Sequence, residues 1–217
     1  MRFQNREHAA ELLVERLRAN YKNQNPVILG IPRGAVPMAK IIADGLGGEL
    51  DVVLVHKLSH PDQPELAIGA IDEEGNAFVS EWAADLDPEF LEAEKRRQLE
   101  VLRQRRAKYT PLRAPIDPRD RIVIVVDDGI ATGSTMTAAL RAVRAKKPKK
   151  LVGAVAVAST EAARAMLREC DAMVCLSIPA HFYAVGQFFD EFGQVTDEEV
   201  IASLHETQQK IVANSNR

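Results

Sequence analysis

Apolar positions along the chain recur in two rhythms that take turns. Ala10, Leu13, Leu17 and Tyr21 fall at helical spacing and predict an amphipathic helix from Arg6 to Tyr21. PVILGI, Pro26 to Ile31, is a short apolar run ending in the glycine-bearing turn PRGA, and it reads as a buried strand. AVPMAKIIADGLG then reads as a helix stopped by glycines. Asp51 to Lys57 predicts a second strand. Arg121 to Val126 predicts a third, followed by a helix from Ser134 to Lys146. Leu151 to Ser159 gives a fourth strand with a helix from Thr160 to Leu167, and Ala172 to Ile178 gives a fifth. Apolar runs alternating with helices predict an α/β fold whose central sheet is mainly parallel and covered on both faces.

Two segments break the alternation. LAIGAIDEEGNAFVSE has the pattern of a hairpin turning at Glu74-Gly75-Asn76. Asp87 to Lys108 is rich in charge, with Lys95, Arg96, Arg97, Arg103, Arg105, Arg106 and Lys108, and reads as a solvated helix. In the tail, Thr196 and Glu199 have capping-box spacing. Val200, Ile201, Leu204, Ile211 and Val212 then mark a closing helix.

Composition narrows the class. A length of 217 residues suits one domain, 1–217, with a core of its own. Apolar residues at 46% and charged residues at 27% are ordinary globular values. The net charge of -3 gives no general reason to expect nucleic acid or an anionic membrane as partner. Cys170 and Cys175 lack accompanying histidines at ligand spacing and read as buried or free thiols of a cytosolic protein. MRFQNREHAA has no apolar core of a secretory signal. The longest apolar run, Leu151 to Ala158, is too short to span a bilayer. These features predict a soluble, cytoplasmic chain with no membrane partner.

The chemistry concentrates in VIVVDDGIATGSTM, Val123 to Met136. Ligands of a parallel sheet sit at the carboxyl ends of its strands, where Asp127 and Asp128 are expected. Ionised carboxylates only accept hydrogen bonds, so the pair suits the neighbouring hydroxyls of a ribose. Gly133 lets the backbone bend close to a ligand, and the amides opening the next helix suit a phosphate. Thr132, Ser134 and Thr135 add hydroxyl donors. The same residue types would also serve an ordinary turn and helix cap.

This stretch resembles the phosphoribosyl-pyrophosphate signature of the type I phosphoribosyltransferases: four apolar residues, two acidic residues, then a five-residue loop ending Thr-Gly-small-Thr. The resemblance implies a three-layer α/β/α fold with a flexible hairpin insertion and a small C-terminal hood over 179–217. It implies that Asp127 and Asp128 hold the ribose hydroxyls and that Ala131, Thr132, Gly133, Ser134 and Thr135 cradle the 5-phosphate. GIPRGAVPMA, Gly30 to Ala39, is similar to the family's pyrophosphate loop, with Arg33 and Gly34 facing the diphosphate and a cis peptide between Pro32 and Arg33. Lys57, at the end of the second predicted strand, would supply a further cation for the leaving group. Residues 59–80 take the place of the mobile catalytic loop. PELAIGAIDEEG and FYAVGQFFDEFGQVTDEEV also resemble a little-characterised bacterial subgroup of the family, over nearly the whole length.

Phe182 to Phe192 hold four of the seven phenylalanines. They suit either a stacked acceptor base or a hydrophobic hood. YAVGQFFD resembles the hood of the hypoxanthine-guanine branch, which implies Tyr183 on the base and Asp190 near the pyrophosphate and its Mg²⁺, through water. Ala131 departs from that branch, whose enzymes carry an aspartate there for proton work. The acceptor, the general base and the oligomeric state, a homodimer included, stay open. The expectation is an enzyme that uses phosphoribosyl pyrophosphate and Mg²⁺ to transfer phosphoribose to a small nitrogen acceptor. The rival is a non-catalytic ligand-sensing regulator that binds RNA through its basic helices. No DNA-binding module precedes the core, so DNA is not an expected partner.

Overall fold

The computed structural model describes residues 1–63, 66–111 and 114–205. The predicted α1 spans Arg6–Tyr21, and the Asn5 side chain caps it by accepting from the His8 amide at 2.9 Å. β1 (Val27–Gly30) leads into α2 (Ala35–Leu46), which stops at the left-handed Gly47. β2 is Glu49–Val52, β3 Val55–Ser59, β4 Ala67–Asp72 and β5 Ala77–Val79. α3 (Pro88–Tyr109) follows, then β6 (Ile122–Ile130), α4 (Ser134–Ala145), β7 (Lys150–Ala158), α5 (Thr160–Met166) and β8 (Ala172–Ser177).

Five strands form a parallel sheet in the order β2-β1-β6-β7-β8. Their alternating side chains feed two cores. Ile28, Ile124, Val126, Val152 and Ala154 pack with α1 and α2 on one face. Val27, Leu29, Val123, Val125, Leu151 and Val155 pack with α4 and α5 on the other. Strands buried on both faces need continuous apolar runs, which is why the sequence pattern located them. The chain runs outward from β1 to β2, and the later strands extend the opposite side from β6. The crevice between the ends of β1 and β6 is therefore a topological switch point.

Two expectations are corrected. The apolar run Asp51 to Lys57 is not one strand. It leaves the parallel sheet after Val52 and enters a separate antiparallel sheet, β3-β4-β5, at Val55. Val53 and Leu54 are buried at the crossing, so no glycine, proline or polar break marks it in the sequence. The hairpin turning at Glu74-Gly75-Asn76 forms as expected, with β4 paired to both neighbours.

The second correction concerns α3. It is not simply solvated, because Glu94, Gln98, Leu102 and Tyr109 are buried along one stripe. That stripe mixes polar with apolar side chains, which blurs its hydrophobic period in the sequence. Its anchor is Arg106. The guanidinium bonds Glu73 twice (2.6 and 2.5 Å), Asp51 (2.8 Å) and the Val52 carbonyl (3.0 Å). Asp51 is 1% exposed and also accepts from the Ile116 amide. One side chain thus fastens α3 to the end of β2 and to the hairpin turn.

The tail closes over the sheet. Phe3 forms a parallel bridge with Phe189, and its amide donates to the Phe188 carbonyl at 2.8 Å. Thr196 and Glu199 make the reciprocal capping box, at 2.7 and 3.2 Å. Helix follows over 197–205 with Val200 and Leu204 buried. Ile211 and Val212 lie outside the described residues. Among the described residues, no helix is long and apolar enough to cross a membrane.

Arg106→Ala should lower the unfolding free energy by about 3 kcal/mol, because two largely buried carboxylates lose their cation. Arg106→Lys should recover only part, since one ammonium cannot span both acids. Urea denaturation reads this directly, and a loss below about 1 kcal/mol would show that the clamp contributes little.

Candidate functional site

The switch point collects the residues that the sequence singled out. Asp127 and Asp128 are not beyond the strand, as expected, but inside it, since β6 runs on through Ile130. The pairing with β7 continues at Asp127–Val155 and Gly129–Val157, so the turn comes only at Ala131 to Gly133. Strand pairing holds the two carboxylates more rigidly than a turn would. From β1, the Pro32–Arg33 peptide is cis, as the resemblance implied, and the loop delivers Gly34 against the acidic pair. A Cβ on Gly34 would lie 2.5 Å from Asp128 Oδ2, so only glycine leaves that carboxylate where it stands.

Two carboxylates on adjacent residues in a half-buried strand repel each other. Burial, reinforced by the charge of Asp128, pushes the Asp127 carboxyl well above its ordinary value. Its Oδ1 accepts the Asp128 amide at 2.9 Å. Burial also raises the Asp128 carboxyl, but Arg6 pulls against that rise. Arg6 Nε donates to Asp128 Oδ2 at 2.8 Å, and both side chains are about one-seventh exposed, at 15% and 14%. The sequence reading missed Arg6. A signal existed: a cation in the first turn of a helix opposes the helix dipole, so it implies a partner elsewhere. The same guanidinium donates to the Gly193 carbonyl at 2.7 Å and lies 3.8 Å from the centre of the Phe192 ring.

The loop Ala131 to Thr135 opens outward. Gly133 takes a left-handed conformation (φ 82°) as the N-cap of α4, and no side chain caps that helix. Its first turn contains no acid, so its leading amides and dipole face an exposed rim of Thr132, Ser134 and Thr135. Thr132 and Ser134 hydroxyls lie 3.3 Å apart. Ser159 steadies the loop from the start of α5 by donating to the Ala131 carbonyl at 2.7 Å. The arrangement can take an anion at the helix start and a vicinal diol at the carboxylates.

Arg33 is exposed beside this crevice. Its Nη1 stands 4.0 Å from Asp197 Oδ1, in the first turn of the closing helix. Asp197 also accepts from Lys108 Nζ (2.6 Å) and Tyr109 OH (2.7 Å), both at the end of α3. Those bonds, Lys108 first, hold the Asp197 carboxyl below its usual range. Burial and Asp197 push the Tyr109 hydroxyl up to about 12. Lys57 does not end a strand of the central sheet. It is exposed in the middle of β3, opposite Ala70. The sequence reading went astray there because it ran β2 and β3 together.

The aromatic tail is mainly a hood. Phe188 and Phe189 are buried, Phe189 stacks on Phe192 at 4.9 Å, and Val185 packs against Gly129 beside the acidic pair. Tyr183 is 86% exposed, which leaves its ring open to a partner. The Asp190 carboxylate is exposed and paired with Arg2 at 2.5 Å. Among the described residues, no group of three or more His, Cys, Asp or Glu side chains could hold a metal.

A family model described as phosphoribosyl transferase domain matches residues 3–191. Two Mycobacterium tuberculosis proteins, from strains CDC 1551 and H37Rv and both provisionally named phosphoribosyl transferases, are 40% identical over 205 residues. Those matches cover 93% of this chain and 46% of each relative, so the chain spans about half the length of the curated relatives it matches. The crystal structure of TT1426 from Thermus thermophilus is 44% identical, with a TM-score of 0.86 over 95% of this chain and 99% of that one.

The raised Asp127 carboxyl has a measurable consequence. The folded chain keeps that proton to higher pH than the unfolded chain, whose aspartates ionise near pH 3.9, so ionisation costs stability as pH climbs above that value. Asp127→Asn should therefore match the parent near pH 3.5 and exceed it at pH 7 by about 1 kcal/mol, or roughly 2–4 °C in Tm. Thermal melts across that range decide it, and a gap independent of pH would contradict the assignment.

Proposed function

The chain belongs to the phosphoribosyl transferase domain family, and from that premise we propose that it transfers phosphoribose from phosphoribosyl pyrophosphate to a small nitrogen acceptor, releasing pyrophosphate. The observation that carries this reading is the meeting, at one switch point, of the Asp127–Asp128 pair with the uncapped start of α4. Ribose hydroxyls need acceptors and a 5-phosphate needs donors, and these two features supply them from the same strand end and the loop that follows it.

In the proposed reaction the bond from the anomeric carbon to the diphosphate oxygen breaks and a carbon–nitrogen bond forms. Positive charge grows on the sugar and negative charge on the leaving group. Asp127 and Asp128 orient the ribose by accepting from its hydroxyls, and their charge favours the developing oxocarbenium ion. Arg6 favours the charged form of Asp128 against the burial that raises its carboxyl. Thr132, Ser134, Thr135 and the amides after Gly133 hold the 5-phosphate. Arg33, with the Gly34 backbone beside Asp128, faces the diphosphate, and Lys57 adds a cation from the hairpin sheet. Tyr183 offers its exposed ring to a flat acceptor.

Mg²⁺, when bound, would neutralise charge on the leaving diphosphate. It would be held mainly by substrate oxygens and water. The exposed Asp190, already paired on one side with Arg2, fits contact through water better than direct ligation. Ala131 offers no carboxylate at the start of the phosphate loop, so the acceptor's proton has no assigned base.

Calorimetric titration of phosphoribosyl pyrophosphate, with and without Mg²⁺, tests the reading. Saturable binding should weaken at least about tenfold in Asp128→Ala, the loss expected of a charged hydrogen-bonding partner. A panel of nucleobases should then release pyrophosphate, and Arg33→Ala should slow that release by about a hundredfold. A folded protein that binds no phosphoribosyl pyrophosphate would end the enzyme reading. Binding without release from any acceptor would shift it to a ligand sensor.

A further inference from the structure

Three elements far apart in sequence meet at Asp197. The loop after β1 brings Arg33, the end of α3 brings Lys108 and Tyr109, and the closing helix brings the carboxylate itself. Arg105 adds its charge at the Tyr109 hydroxyl, as Arg33 does. Among the described residues, two cations, Arg33 and Lys108, thus reach one carboxylate, and the local balance is positive. Arg33 and Lys108 are each half exposed, at 49%. Arg33 is covalently next to Gly34, which packs against Asp128, so the loop that bears this guanidinium also borders the acidic pair.

A single carboxylate does not saturate this cluster. Its Oδ2 takes the Lys108 ammonium and its Oδ1 the Tyr109 hydroxyl, while Arg33 stands at the far limit of an ion pair, 4.0 Å away. A diphosphate has the same acceptor chemistry with more charge and more oxygens. It would bring Arg33 and Lys108 into full contact where one carboxylate cannot. Asp197 sits in the first turn of a helix, where a rotamer change would move its oxygens aside without disturbing the backbone.

We infer that Lys108 is a further cation for the diphosphate, on the Asp197 side of Arg33, and that Asp197 fills the anion's place until the diphosphate arrives. The inference rests on the phosphoribosyl transfer proposed above and adds to it a binding residue from α3 and a competing carboxylate from the tail. A purely structural clip between α3 and the closing helix would look the same at rest. The two differ in the sign of the effect when Asp197 is neutralised.

Inorganic pyrophosphate with Mg²⁺, titrated calorimetrically into the full chain, is the probe. Lys108→Ala should weaken its binding by about three- to tenfold, and Asp197→Asn should tighten it by about two- to fivefold, the range of one exposed charge pair. Melting curves establish that each variant is folded. Should Asp197→Asn fail to fold, Lys108→Ala decides alone. Unchanged affinity in Lys108→Ala, or weaker binding in a folded Asp197→Asn, would overturn the inference. Wild-type protein that binds phosphoribosyl pyrophosphate but not pyrophosphate would overturn it too, and would leave the proposed transfer standing. Protein that binds neither would end both.

Discussion

Two carboxylates on consecutive residues of a half-buried strand repel each other and lose hydration, and the architecture around them can be understood as the answer to that cost. β6 carries Asp127 and Asp128 past the apolar run while still paired to β7, so neither can relax outward as a loop residue would. Arg6 reaches across from α1 to meet Asp128, and the same guanidinium takes the Gly193 carbonyl and the face of Phe192. The N-terminal helix, the strand end and the hood are thereby tied through one charge. What remains uncompensated is Asp127, whose raised carboxyl is the residue of a conflict that folding alone would have avoided.

Topology decides where that charge is presented. Because β1 and β6 are neighbours and their connections leave in opposite directions, their ends open into one crevice. The loop after β1 delivers Gly34 and Arg33 to it. The loop after β6 delivers an uncapped helix start. Negative charge, the positive ends of amides and a guanidinium therefore lie side by side.

The periphery is held by polar as well as apolar contacts. Arg106 links α3 to β2 and the hairpin turn, and Asp197 links α3 to the closing helix and the Arg33 loop. α3 sends Leu102 and Tyr109 into the hydrophobic core and also meets the carboxylates of β2 and the hairpin turn. A helix attached in this way depends in part on a few charge pairs, so its seating responds to whatever competes for those charges.

Much was legible in the sequence wherever hydrophobic burial was the cause. The buried strands, the helices that cover them, the hairpin turn and the capping box follow from local periodicity and side-chain chemistry, because each is decided within a few residues. The acidic pair and the hydroxyl loop were legible as well, since their residue types are unusual after a buried strand. Tertiary structure alone decided the rest. It split Asp51 to Lys57 between two sheets, because a continuous apolar run is buried equally well by either. It joined Arg6 to Asp128 and gathered Arg33, Lys108 and Asp197, because charge pairing acts over a few ångströms of space and leaves no period in the chain.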